Sequence, residues 1–507
     1  MTTVQAAEAT RSGEDNRRRY GNWRQLGFKL YGIGLLPGAA VFLTLVLAVF
    51  MIMVHQYLLM LGLVLLLAVE VPLLWPAPEG ARYQRIGRWV AFRVLRRSKG
   101  NVLAQGPTGK TKDGLVRLPG LGASTQLSEH RTALGDAFAL LSWPKSKSGM
   151  HTVVMQAHPT GTTGRDQSDI DRMVAHHGGL MKLAGEQGDV VGMACIVETA
   201  PDTGLRLKAS TERGRSKDAP EYSQAVREGT LAKVTVGSPS VKGWTTFSFK
   251  GTEHGSTKKL PTQAVADDLA TRLPHLLGEA RLTGAGDTAR WCDAQQVIDD
   301  TRSAYDPAAA FDIEKARLLG EGTGLAWTDA GPVHAQTEYT EYHHDGAVSR
   351  TWVWVRPPKA PETEDVMRAL IAPHPHIPRK RVSIQYRPLA PEVSQDLAEQ
   401  GVKETRFSWT QADKARHDAN FQFAKKAERE ENEGAVMVRT AVMITVTAFS
   451  DEELKRATTA VRQLAKRAHL TVRIANGMQD TGFMQTLPLG LVIPEFLNVP
   501  DNVRDQI

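Results

Sequence analysis

The sequence predicts a membrane-anchored α+β protein: an N-terminal two-helix transmembrane hairpin followed by two related split β-α-β, ferredoxin-like, cytosolic units. Three observations predict it. Two apolar runs of transmembrane length stand back to back near the N-terminus. Basic clusters flank them on both sides. Beyond them, strand-period and helix-period segments alternate in a pattern that occurs twice.

The length of 507 residues exceeds one ordinary core. Hydrophobic residues make up 42% and charged residues 23%, an average that conceals strong segregation. Much of the net charge of +7 lies in the clusters around the apolar runs, so a membrane surface is the first partner to expect. Cys195 and Cys292 stand far apart, fit a reducing compartment and offer no disulfide framework.

Residues 1–30 form a polar, basic flank, whose first 16 or so are expected to be disordered. The hairpin is placed at residues 31–76, with spans at 35–54 (LLPGAAVFLTLVLAVFMIMV) and 57–75 (YLLMLGLVLLLAVEVPLLW). Each is long enough to cross a hydrocarbon core at 1.5 Å per residue. Arg17, Arg18, Arg19 and Arg24 precede the spans, and Arg82, Arg85 and Arg88 lead the basic run after them. Retention of positive charge inside puts both termini in the cytoplasm of a multi-pass cell-membrane protein. Trp23, Trp75, Tyr83 and Trp89 are candidate interfacial anchors. Glu70 is the one ionisable residue within a span, near the inner interface and two residues before Pro72.

Residues 77–132 read as a basic juxtamembrane segment and a linker rich in Gly, Lys and Thr. The first α+β unit, residues 133–325, contains strand candidates at 152–157, 190–198 and 244–249 and helices at 169–183 and 262–277. The alternation of Trp244, Thr246 and Ser248 against Thr245, Phe247 and Phe249 suits a half-buried strand. The second unit, residues 326–507, has strands at 348–355, 381–386, 438–449 and 470–474. Its helices are a short one at 364–371, a long charged one at 411–433, and one opened by Ser450 with Glu453 as a capping box.

Chemical motifs are sparse. Residues 106–111 (GPTGKT) resemble the end of a phosphate-binding loop, but Ala104 stands where the motif needs Gly and no strand leads in. The adjacent pairs His176–His177 and His343–His344 point in different directions on a helix, and His177 on an apolar stripe reads as a core histidine. His374 and His376 could share one side of an extended segment, without a carboxylate or cysteine at ligand spacing. HExxH, CxxC and GxSxG do not occur. No catalytic, metal or cofactor residue is therefore assigned, and no cofactor is expected. Arg379, Lys380 and Arg381 form a compact basic patch, a candidate partner surface or a solvated strand entry.

Several segments together resemble one family. They are residues 19–24 (RYGNWR), 117–121 (RLPGL), 197–204 (VETAPDTG), 304–307 (AYDP), 327–331 (WTDAG), 372–382 (APHPHIPRKRV) and 487–491 (LPLGL). In this order behind an N-terminal hairpin, they resemble actinobacterial PrgI-like membrane proteins of conjugative, type IV-like secretion machines. Their soluble part is similar to the EccE component of type VII secretion. The resemblance implies a structural inner-membrane component that docks a separate conjugation-type ATPase and other membrane subunits in an oligomeric assembly. Direct nucleic-acid binding is not expected. The competing expectation is a membrane-tethered transferase-like enzyme acting on a lipid-linked or nucleotide substrate.

Overall fold

The computed structural model describes residues 29–498, except 31–32, 75–81, 235–238, 357–361, 390–392, 397–398, 400–401, 403–420, 422–423, 426–427, 430–434 and the single positions 108, 110, 112, 160, 217 and 254. Helices α1 (Leu35–Met53) and α2 (Tyr57–Leu74) follow one another across a turn where His55 has φ +57°. Helix α3 (Arg82–Arg97) comes next, and the rest of the chain is organised around one antiparallel sheet of thirteen strands.

These strands are β1 (Val102–Ala104), β2 (Gln126–Arg131), β3 (Ala137–Ser142), β4 (His151–Ala157), β5 (Val190–Pro201), β6 (Pro239–Phe249) and β7 (Arg290–Trp291). They continue with β8 (His334–Thr337), β9 (Tyr342–His344), β10 (Ala347–Arg356), β11 (Arg379–Pro388), β12 (Val438–Ala448) and β13 (Thr471–Ile474). Their order is β1-β8-β9-β10-β12-β11-β5-β6-β4-β3-β2. In addition, β13 takes the second half of the β10 edge whose first half pairs with β9, and β7 extends β4 beyond β3.

The expectation of two separate ferredoxin-like units is corrected by this sheet. Strands β5 and β11 would be edge strands of such units, with unpaired backbone groups facing solvent. Instead they pair with each other from Met193–Tyr386 to Thr199–Lys380. The same fusion corrects the linker. Its residues supply β1 and β2, the strands at opposite ends of the path, while Leu118 between them joins the shared core.

Alternation along the strands divides the core between two faces. Ala139 and Leu141 of β3 face a cluster that also holds Trp244, Tyr305, Tyr342, Phe483 and Leu489. Phe138 and Leu140 face α4 (Gln167–Glu186) and, after α5 (Leu205–Arg213), α6 (Thr262–Ala280). Both faces of β6 are thereby covered, so the half-buried strand expected at Trp244–Phe249 is buried throughout. The first cluster is closed by α7 (Ala294–Tyr305), with α8 (Ala310–Leu319) beyond it.

In the other half, α9 (Asp451–Arg467) buries Leu454, Ala457, Val461 and Leu464, the stripe its period predicts. Ser450 Oγ accepts the Glu453 amide at 3.3 Å, as the cap requires. The Glu453 carboxylate reaches one residue further back than a capping box, accepting from Phe449 N at 3.1 Å. Helix α10 (Gln479–Gln485) then carries Phe483 into the shared cluster. The helix expected at 364–371 is confined to Arg368–Ile371. The charged helix at 411–433 lies largely outside the described residues, of which Phe421, Ala424, Lys425, Glu428 and Arg429 are helical.

The two-span hairpin and the multi-pass placement built on it are also corrected. Among the described residues one helix, Tyr57–Leu74, is long and apolar enough to cross a membrane.

Candidate functional site

Helix α2 is an apolar rod with no buried residue. Leu58, Leu65 and Val69 are 86%, 61% and 65% exposed. A soluble helix hides such a surface in a core, so an apolar helix without one calls for a non-aqueous neighbour. Glu70 sits on this helix half-buried, and among the described residues its Oε2 is buried without a hydrogen-bond partner.

Helix α3 supplies the charge. It holds six arginines and no acid. Arg82 and Arg85 are exposed and Arg88 is half-buried. Arg17, Arg18, Arg19 and Arg24 lie outside the described residues, as do Trp23 and Trp75, whereas Tyr83 and Trp89 are exposed. One face of α3 is fixed to the sheet body. Phe92 is buried with its ring centroid 5.5 Å from that of Tyr339, and Arg96 reaches Glu338 at 3.9 Å. Asn101 continues the connection, exchanging hydrogen bonds with the backbone of Thr337 at the end of β8.

The basic patch at Arg379–Arg381 is corrected: these residues lie inside β11, and none is an exposed cation. Arg379 donates to Ser303 O at 2.7 Å and pairs with Glu198 at 3.3 Å. Lys380, on the opposite sheet face, donates to Ala372 O at 2.6 Å, and burial pushes its amine down to about 8. Arg381 is fully buried, and burial pushes its guanidinium down to about 10 against the opposing pull of Glu198.

A cleft that the sequence did not single out lies beside Arg379. Glu198, Lys242, Trp244, Arg206, Asp300, Glu314 and Arg317 line it, brought together by β5, β6, α5, α7 and α8. Its arginines have partners. Arg206 meets Glu314 at 2.8 Å, and Arg317 meets Asp299 at 2.7 Å and Asp300 at 3.2 Å. Burial pushes the Glu198 carboxyl up, but Arg379, Arg381 and Lys242 outweigh it and hold the group below the usual range. The 197–204 segment was the available signal, but its partners on α7 and α8 are about a hundred residues away in the chain.

His177 stands edge-on to Tyr386 with centroids 5.4 Å apart, and burial lowers its pKa. His344 is buried between Tyr305 O at 2.5 Å and Ser349 Oγ at 2.8 Å. His374 Nδ1 accepts from the His376 amide at 3.2 Å. Among the described residues no three His, Cys, Asp or Glu side chains converge on a metal site. Lys110 of the phosphate-loop-like segment lies outside the described residues. Cys195 and Cys292 are free thiols raised in pKa by burial. No protein-family model matches the chain, and no curated protein matches its sequence.

Proposed function

We propose that this chain is a membrane-anchored structural component of a secretion or DNA-transfer apparatus. The apolar helix α2 is the anchor, and the sheet body is a docking platform for a separate conjugation-type ATPase and neighbouring subunits. The observation that carries the anchor is the exposed apolar surface of α2 followed by an all-basic helix. The assembly part rests on the family resemblance of segments such as residues 197–204 and 372–382.

For the membrane-tethered transferase, the charged cleft is one place to act. There Arg206, Arg317 and Arg379 already hold carboxylates, so a phosphate-bearing substrate would engage these arginines only by displacing an ion pair. That favours the structural reading.

The test is purification of the tagged full-length chain from its native membranes in mild detergent, with mass spectrometry of accompanying proteins. Co-recovery of a conjugation-type ATPase and other membrane subunits is the expected result. Recovery of the chain alone, across several detergents and after crosslinking, overturns the scaffold reading. Recovery from the soluble fraction overturns the anchor.

A further inference from the structure

Helix α3 carries an apolar stripe that the sheet body does not cover. Tyr83, Ile86, Val90 and Val94 are spaced three, four and four residues apart, which places them on one side of the helix. They are 37%, 52%, 47% and 62% exposed. At 100° per residue, Phe92 points roughly opposite the middle of this stripe. Arg82 and Arg93 border the stripe on one side, Arg97 continues it at the C-terminal end, and the Arg93 guanidinium lies 4.2 Å from the Trp89 ring centroid.

We propose that α3 is an interfacial helix lying flat in an anionic phospholipid leaflet. The apolar stripe enters the boundary between headgroups and acyl chains, and the bordering arginines engage lipid phosphates. The proposal rests on the membrane reading above and extends it. Two observations select this occupant. The charge of α3 is complementary to an anionic surface, since the helix has six arginines and no carboxylate. The stripe is also close in the chain to the apolar helix α2, so anchoring α2 brings α3 to a bilayer.

A consequence follows from the opposite face. Phe92 against Tyr339, Arg96 with Glu338 and Asn101 with Thr337 tie α3 to the β8 end of the sheet. A helix held in the leaflet plane and fixed to the sheet sets the tilt of the whole body against the membrane.

The test uses the full-length chain reconstituted into vesicles of phosphatidylcholine alone or mixed with phosphatidylglycerol. Val90→Cys carries a polarity-sensitive dye, with the labelled wild-type chain as the control for Cys195 and Cys292. The dye is expected to shift to the blue and be quenched by nitroxide-labelled lipids in anionic vesicles, and far less in phosphatidylcholine alone. Arg82→Gln, Arg93→Gln and Arg97→Gln together should weaken the lipid contact, about fivefold per arginine at low salt.

Co-flotation of the chain with dye that stays open to an aqueous quencher in both vesicles overturns this proposal and leaves the anchor intact. Failure of the chain to float with either vesicle overturns the anchor itself. Shielding that appears in detergent and grows with protein concentration overturns the lipid assignment in favour of a second copy.

Discussion

The guanidinium carbon of Arg381 lies 4.5 Å from the ring centroid of Phe483, deep in the core, and none of its three nitrogens has a hydrogen-bond partner among the described residues. The Phe483 ring also packs against Tyr305, Tyr342 and His344, with centroids 5.1, 5.3 and 4.7 Å away. Cation–π attraction and the field of Glu198 offset only part of what desolvation of the charge costs. Arg381→Met is therefore expected to leave stability unchanged or raise it by about 1–2 kcal/mol in chemical denaturation. A loss of several kcal/mol would show that the guanidinium is satisfied by a group such as a buried water or anion.

Glu198 is the counter-charge that this region depends on. Its pair with Arg379 is nearly inaccessible, at 11% and 12% exposure, whereas Arg206 opposite Glu314 is 58% exposed. Glu198→Gln should cost about 3 kcal/mol because two buried arginines lose their carboxylate. Arg206→Gln should cost about 0.5 kcal/mol, the usual worth of a solvated pair. Equal losses in a denaturation series would mean that burial does not set the strength of these pairs.

Two histidines make stability depend on pH. Burial pushes His151 down to about 4 and His344 to about 3, below the ordinary 6.5. Between those values the unfolded chain binds protons that the folded chain does not. Stability is thus complete above about pH 6.5 and falls as the pH drops toward 4, by up to about 1.4 kcal/mol per pH unit for each group. His344 Nδ1 must donate to Tyr305 O, so a second proton would turn Nε2 from an acceptor of the Ser349 hydroxyl into a donor. The check is the unfolding midpoint at neutral and mildly acidic pH. His151→Gln should flatten the dependence, and an undiminished slope would remove His151 from the account.

Gly490 has φ +62°, and a side chain there would run into Thr152 and come within 2.5 Å of Ser248 Oγ. Its carbonyl accepts from that hydroxyl at 2.8 Å, which fixes the closing segment against β4 and β6. Gly188 has φ +69° in open space. Gly490→Ala should destabilise by about 3 kcal/mol through strain plus overpacking, and Gly188→Ala by about 1 kcal/mol through strain alone. Thermal unfolding of the two variants side by side separates the terms, and matching shifts would refute the steric part.

Local structure was largely legible. Val438–Ala448 shows as a β-branched run, α9 shows through its cap and stripe, and α4 and α6 through their periods. Short strands such as β1, β8 and β9 escaped because three or four residues carry no measurable period. The Arg379–Arg381 run shows why composition misleads. A charge cluster reads as a surface, yet pairing of β11 on both edges and packing on both faces buries two of the three side chains almost completely.

The sequence by itself determined the longer, strongly periodic strands and helices, the apolar character of α2 and the basic character of α3, because these depend on neighbours within a turn or two. Tertiary structure alone decided that β5 meets β11, that the supposed linker supplies both outer strands, and that Glu198, Arg379 and Glu314 share a cleft. Backbone hydrogen bonding between strands is indifferent to side-chain identity. Which edges meet is therefore fixed by packing over the whole sheet and leaves little local trace in the chain.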